Sequence, residues 1–335
     1  MNRRRFVYRG LAVAGLGLAA GCGRPLLPWE QPPTAPRVGV LSLGTRDSTS
    51  AQLDALRSGL RDLAYVEDQT IILAPRFAEG RSERYPALAT ELVQLAVAVI
   101  VANDIPAIQA AQGAGDTIPI VMAGASETPI ERGLITSFSH PGGRVTGLAF
   151  GTPGLAAKRL QLLKDAVPDL ARVAFVNDPA ISPIADNPKV GPFGTAAAAL
   201  GLGLEVADLP PPQDVDALFA DLARRQVGGI FIDGSPNTFA QRLRLSDLAI
   251  RHRLASIWQG SQGKDATLLA YGANSADLWR RSAAHVDKLL KGTKAAELPV
   301  ELPTSFDFIV NLRIARALGL TIPPAVLQQA TEVIQ

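Results

Sequence analysis

Short apolar runs of strand length alternate with longer amphipathic segments from Arg37 almost to the end of this 335-residue chain. Few folds accept that rhythm. "RVGVLSL" (Arg37 to Leu43) is followed by "SAQLDALRSGLRDLAY", "TIILAPRF" leads into "SERYPALATELVQLA", and "VAVIVAN" (Val97 to Asn103) precedes "IPAIQAAQGAG" and "IPIVMAG" (Ile118 to Gly124). The runs "VAVIVA" and "IPIVMA" lack period-2 alternation, as expected of parallel strands covered by helices on both faces. The series then restarts at "RVTGLAF" (Arg144 to Phe150) and "GLAAKRLQLLKDAV". It continues through "ARVAFVND" (Ala171 to Asp178), "LEVADL", "VGGIFIDG" (Val227 to Gly234), "LASIWQG" and "TLLAYG" (Thr267 to Gly272), with helical patterns between. Two successive βα series predict two doubly wound α/β lobes with parallel sheets, the chain crossing between them. No tandem repeat is visible in them.

The start of the chain follows other rules. Arg3, Arg4, Arg5 and Arg9 precede an apolar stretch, Leu11 to Ala20, that ends in small residues and the chain's single cysteine, Cys22. That stretch is shorter than the ~20 residues a helix needs to cross a bilayer. A basic start, a short apolar middle and small residues before a cut site describe an export signal, residues 1–21. "LAAGC" resembles a bacterial lipobox, which predicts cleavage before Cys22 and lipidation of its thiol. "RRRFV" resembles the twin-arginine export motif, with Asn2 in place of the usual Ser or Thr; a general secretory signal fits the same residues. Five prolines between Arg24 and Pro36 keep residues 22–36 extended, as a tether. The leader holds four of the 33 basic residues and none of the 31 acidic ones, so its removal would turn the formal charge from +2 to −2. The apparent basicity belongs to the leader, and no nucleic-acid partner is expected.

Ligands of open parallel sheets sit beyond the carboxyl ends of the strands. The segments that follow the strands here are "GTRDSTS", "NDIPA", "GASETP", "NDPAISP", "DGSPN", "WQGSQ" and "YGANS". Small, polar and hydroxyl-rich, they lead into helices whose free N–H groups can hold an anion. The same Ser and Thr residues are also ordinary helix caps. Trp258 and Tyr271 could stack on a flat ligand or pack between the lobes. Catalytic patterns are missing from the sequence. His140, His252 and His285 have no metal-ligand spacing and no second thiol to join them. "GSQGKD" is no phosphate loop, "HPGGRVTG" lacks the GxGxxG spacing, and no GxSxG elbow is present. Binding is expected rather than catalysis, with no cofactor and no metal.

At this point a resemblance enters. "GLRDLAYVEDQTI", "RFAEGRSERYPALATELV", "TIPIVMAGASETPIERGLI", "HPGGRVTGL", "KRLQLLKDAVP" and "VDKLLKGTKAAELPVELPTSFDFIVNLRIARALGLTIPPAVL" are spread from Gly59 to Leu327. In these stretches the chain resembles the substrate-binding proteins of bacterial ABC transporters that include the tryptophan/tyrosine-type binding proteins. The resemblance implies a periplasmic-binding-protein type I fold, two doubly wound parallel-sheet lobes joined by a multi-strand hinge, with a small ligand closed between them. By position it implies first-lobe contacts at Thr45, Ser48, Asn103, Asp104, Ser126 and Glu127. It implies second-lobe contacts at Asn177, Asp178, Asp233, Gly234, Trp258 and Tyr271. Where the family has Gly-Gly before the "YG" strand this chain reads "KDATLLAYG", so an aromatic amino acid is one ligand type among others.

The domain plan that follows is residues 37–148 as lobe 1, 149–265 as lobe 2, 266–300 returning to lobe 1, and 301–335 contributing to the hinge and lobe 2. The expected protein is a monomeric, lipid-anchored solute-binding lipoprotein of an ABC importer, on the periplasmic or cell-surface face of the cytoplasmic membrane. It would capture a small polar or aromatic, amino-acid-like ligand for an inner-membrane permease. A periplasmic α/β enzyme, or a ligand sensor that docks to a receptor without transport, stays open as an alternative.

Overall fold

A computed structural model describes residues 35–125, 128–151, 154–179 and 190–335. The export signal, Cys22, Ser126 and Glu127 therefore lie outside the described residues. All elements below belong to one compact unit, Pro36–Gln335.

The first series runs β1 (Arg37–Ser42), α1 (Ser50–Asp62), β2 (Ile72–Phe77), α2 (Tyr85–Gln94), β3 (Val99–Ala102), α3 (Ile105–Ala114), β4 (Ile120–Ala123) and β5 (Val145–Leu148). These strands form one all-parallel sheet in the order β2-β1-β3-β4-β5. Side chains alternate between its two faces, and both faces are covered. Val38, Val40, Val99, Val101 and Val121 enter one core with α1, while Leu41, Ile100, Ile120 and Met122 enter the other with α2 and α3. That double burial is why the strands read as unbroken apolar runs. Each fully buried Val or Leu here is worth about 1.5–3 kcal/mol. The edge strand β2 is only half-buried along its whole length.

The second series runs α4 (Leu155–Ala166), β6 (Arg172–Asn177), α5 (Val190–Ala199), β7 (Gly203–Asp208), α6 (Val215–Arg224), β8 (Gly229–Ile232), α7 (Pro236–Ala240), α8 (Arg242–Arg251), β9 (Ala255–Gln259) and β10 (Leu269–Ala273). Next come α9 (Ser275–Leu290), β11 (Phe306–Asn311), α10 (Leu312–Leu318), α11 (Pro324–Leu327) and β12 (Glu332–Ile334). The second sheet has the order β12-β11-β10-β9-β8-β6-β7. Val173, Phe175 and Phe231 face a core shared with α4 and α5, and Ala174, Val176 and Ile230 face one shared with α6 and α8.

Two departures from a simple pair of parallel lobes have one cause. Residues 266–300 are divided: β10 joins the second sheet, whereas α9 packs on α1, with Trp279, Ala283 and Val286 in the first lobe's core. The chain then re-enters the second lobe from the hinge, at the rim where β10 ended. The next strand can only run back, so β11 is antiparallel to β10, with Ala273 opposite Phe306 and Leu269 opposite Val310. β12 follows β11 in parallel. Among the described residues the chain thus crosses between the lobes three times, after β5, after β10 and before β11.

Candidate functional site

Parallel strands share one direction, so each lobe presents its strand-end loops along a single rim. The crossings bring the two rims together. Phe150, just past β5, lies against Gly124 after β4 and against Gly260 and Gly272 after β9 and within β10. Gly124 and Gly260 have φ of +82° and +77°, a region that side chains other than glycine's rarely accept. A cavity of about 250 Å³ opens beside the crossings, lined from one lobe by Ala51 and Gln52 and from the other by Ser261. Asn274, on the crossing after β10, Ser275 at the start of α9 and Asp307 in β11 close it.

The hinge is held by polar contacts. Asn274 caps α9, its side-chain oxygen accepting from the Asp277 amide at 2.8 Å. Its side-chain nitrogen donates to both Asp307 oxygens, at 2.9 and 3.2 Å, and its amide donates to the Ser305 carbonyl at 3.0 Å. Arg281 donates to Glu301 at 2.5 Å and to Thr304 at 3.0 Å, and lies 3.5 Å from Asp277. These groups fix the two later crossings side by side.

The sequence-predicted residues fall into three sets. Thr45 and Ser48 are exposed on the loop after β1 and satisfy each other, the Thr45 amide donating to Ser48 Oγ at 2.8 Å and the Ser48 amide to Thr45 Oγ1 at 3.2 Å. Asn103 is half-buried on the same rim, with its amide oxygen enclosed and unpartnered. Asp104 caps α3 by accepting from the Ala107 amide at 2.8 Å, and its other oxygen accepts from the Tyr85 hydroxyl.

A second set gathers on the second lobe's rim. Asn177 donates to Asp208 at 2.6 Å, and Asp178 accepts from Ser235 Oγ at 2.5 Å. Ser235 and Thr238 form a capping box at the start of α7, and the Asp233 carbonyl accepts from Thr238 Oγ1 at 2.9 Å. Asn177, Asp178 and Asp233 are buried and Gly234 is exposed.

The two aromatics form the third set, and both pack within the second lobe. Trp258 is 2% exposed, in the core shared with α6 and α8, its ring against Gly263. Tyr271 lies parallel to Phe306 at 5.9 Å and packs on the α4 side of the sheet. An aromatic within a strand covered on both faces is core first.

Four residues of this region were not singled out by the sequence: Gln52, Tyr85, Arg159 and Asp307. Arg159 carried a signal. It lies on the apolar stripe of α4 with Leu155, Leu162 and Ala166, where a charge needs partners. It is fully buried, its Nε donates to the Tyr271 carbonyl at 3.0 Å, and its guanidinium sits over Phe231.

Burial pushes the Asp104 carboxyl up, to about 6, against the opposing pull of the Tyr85 hydroxyl and the Ala107 amide. Burial likewise raises the Tyr85 hydroxyl, with the Asp104 charge adding to it. A raised carboxyl favours the protonated fold, so its contribution is complete below the unfolded value near 4 and is lost as pH climbs through 6. Two units amount to about 3 kcal/mol, reduced to about 2 because the residue as a whole is only half-buried. Asp104→Asn keeps a cap oxygen and removes the titration. Stability measured by urea unfolding between pH 4 and 7 is expected to fall by about 2 kcal/mol more in the wild type than in this variant. Parallel curves would show that Asp104 is solvated.

Chemically, the rims offer amide and hydroxyl groups, carboxylates and helix starts. These are the means of holding a polar solute. Among the described residues, no group of three or more His, Cys, Asp and Glu is placed to hold a metal ion, and no helix is long and apolar enough to cross a membrane.

Two α/β lobes, crossed by the chain at a shared hinge and meeting along their strand ends, make this a fold of the periplasmic-binding-protein type I class. The family model for ABC transporter substrate binding proteins matches residues 37–334, and the chain belongs to that family. A tyrosine-binding protein of Clostridioides difficile (strain R20291) is 26% identical over 139 residues, 42% of this chain and 39% of that protein. The match therefore spans about two-fifths of that relative's length. Among solved structures, the ABC domain from Streptococcus pneumonia in complex with L-Trp superposes with a TM-score of 0.80 at 22% identity, covering 90% of this chain and 100% of that one. A conserved domain protein from Vibrio cholerae O1 biovar eltor gives 0.79 at 22% identity, covering 89% and 99%. A ligand-free, open substrate-binding protein with adhesive properties from Clostridium difficile gives 0.70 at 20% identity, covering 90% and 99%. The family is defined by binding the substrate of an ABC transporter.

Proposed function

We propose that this chain is the solute-binding lipoprotein of an ABC importer, capturing an amino-acid-like ligand between its lobes and delivering it to a membrane permease. The observation that carries the reading is the hinge cavity, walled by polar groups from both lobes and from the crossings between them. A ligand bound there touches both halves at once, and so favours the closed arrangement by its differential affinity for it. The relatives support the ligand class, since one is a tyrosine-binding protein and another holds L-Trp. The basic leader, the short apolar run and Cys22 support export and lipid anchoring, with the proline-rich residues 22–36 as the leash. A second acyl chain makes such an anchor lasting, because one chain alone binds a bilayer marginally. The protein acts as a monomer, without catalysis, one ligand per cleft.

The test is a thermal and denaturant screen of the purified residues 36–335 with the twenty L-amino acids. A true ligand at 100 times its dissociation constant is expected to add about 2.7 kcal/mol of stability. Small-angle scattering with that ligand is expected to show compaction. Binding without compaction would remove the closing mechanism, and turnover of the ligand would replace capture with catalysis.

A further inference from the structure

A small apolar cluster sits on the crossings themselves, apart from the cores inside either lobe. Leu148 ends β5, Ala273 ends β10 and Leu278 lies in the first turn of α9; these three are buried, and Phe150 and Phe306 pack on them half-buried. Each of the three crossings thus has a member of the cluster on it or directly beside it. Phe150 is the member that touches both lobes. A Cβ at Gly124, after β4, would stand 3.4 Å from its ring Cδ2. A Cβ at Gly260, after β9, would stand 2.8 Å from ring Cζ, and one at Gly272, in β10, 3.5 Å from Cε1. The near side of the ring therefore meets the first lobe and its tip the second. The wall at the tip is firm. Gly260 and Gly272 lie so close that a Cβ on Gly272 would stand 2.7 Å from Gly260 Cα, and the Gly260 amide donates to the Tyr271 carbonyl at 3.1 Å. On the other side Leu278 crowds Gly124, at 2.6 Å from where its Cβ would be. The ring is held between glycine backbones, and close-packed backbone does not give way as a side chain can.

We propose that Phe150 is a spacer that sets the resting angle between the lobes. An apolar contact this close to the crossings admits a narrow range of separations, since overlap lies on one side and a void with lost dispersion contacts on the other. The size of the side chain fixes where in that range the ligand-free chain rests. Any solute that closes the lobes must close them from that angle, and its apparent affinity carries the cost. Phe150 is in this sense a positioning residue, acting on affinity through the glycines it holds apart. The inference goes beyond the capture reading and does not depend on which solute is bound. Phe306 supplies the contrast: it belongs to the same cluster but lies parallel to Tyr271 of its own sheet, 5.9 Å away.

The test measures the distance across the rims without ligand. Cys22 is the chain's single cysteine. In the full chain with Cys22→Ser, the substitutions Glu83→Cys and Ala240→Cys therefore place two spin labels at exposed positions, one in each lobe, and pulsed electron paramagnetic resonance reads their separation. Phe150→Leu is expected to shorten the mean separation and Phe150→Trp to lengthen it, each by more than about 2 Å, the scale that distinguishes lobe rearrangement from side-chain adjustment. Gly260→Ala sets a methyl against the ring tip and is expected to lengthen it too. Phe150→Leu in that background is expected to bring it back, because leucine has no Cζ. Phe306→Leu is expected to lower the urea midpoint and leave the separation unchanged, as a purely structural change would. The proposal is overturned if the Leu and Trp variants both stay within about 1 Å of the wild type, if they move the same way, or if Phe306→Leu moves the separation as far as Phe150→Leu does. Should the Trp variant fail to fold, the Leu variant and the Gly260 pair decide by the same criteria.

Discussion

Arg159→Ala is expected to lower the folding free energy by about 4 kcal/mol, the sum of a large truncation in a closed core and a stranded carbonyl. The side chain is 0% exposed, its Nε is the donor to the Tyr271 carbonyl at 3.0 Å, and its guanidinium lies 5.5 Å from the centre of the Phe231 ring. Removing it leaves a void beside Phe231 and an oxygen on β10 that has lost this donor. Arg159→Met separates the two effects. It restores most of the volume but still strands the Tyr271 carbonyl, and is expected to cost about 1–2 kcal/mol, less than Ala by the void. Arg159→Lys keeps a charge but not the planar fork and is expected to fall between them. Urea unfolding of the three variants gives the order directly. An Ala variant within about 1 kcal/mol of wild type would mean that the guanidinium is not part of the packed core.

Gly59→Ala is expected to cost about 3 kcal/mol, although alanine is the better helix former by about 1 kcal/mol. Gly59 lies in the last turn of α1, where that helix meets α9. A Cβ there would stand 2.1 Å from the carbonyl oxygen of Arg280 and 2.8 Å from Ala283 Cβ. The first obstacle is backbone, so no rotamer change relieves it; the helices must separate. Leu56 and Leu60 of α1, and Trp279 and Val286 of α9, would then lose contact across the same core. Gly194→Ala in α5 is the control. A Cβ there meets only Leu204, at 3.9 Å, so propensity acts alone and a gain of about 0.5–1 kcal/mol is expected. Equal and favourable changes at both positions would show that α1 and α9 are not in such close contact.

The strands were legible because residues such as Val99–Ala102 and Ile120–Ala123 are buried on both faces, which leaves an unbroken apolar run in the sequence. The family was legible from long stretches rather than from any periodicity. The direction of β11 was not, since "FDFIV" reads the same either way and only the point of re-entry from the hinge decides it. Strand-end loops were found, with Ser261, Asn274 and Ser275 of the cavity lining among them, but not Gln52 or Asp307. Gln52 and Asp307 are far apart in sequence and meet only through the crossings. The cap reading of Ser and Thr was right at Ser235 and wrong at Thr49, because hydroxyl direction depends on a neighbour, Ser42, that lies on the preceding strand. For Trp258 the sequence left stacking and packing both open; the structure puts its ring in the core shared with α6 and α8, 2% exposed.

The route of the chain through the hinge also sets the order in which the molecule can be completed. α1 appears early in synthesis, yet the helix that covers it, α9, begins at Ser275. Until then the side of α1 around Gly59 that meets α9 has no partner, and the later sheet lacks β11 and β12 at its margin. A chain that stops before Ser275 lacks α9 from the first lobe and β11 and β12 from the second sheet, so neither lobe is complete in it.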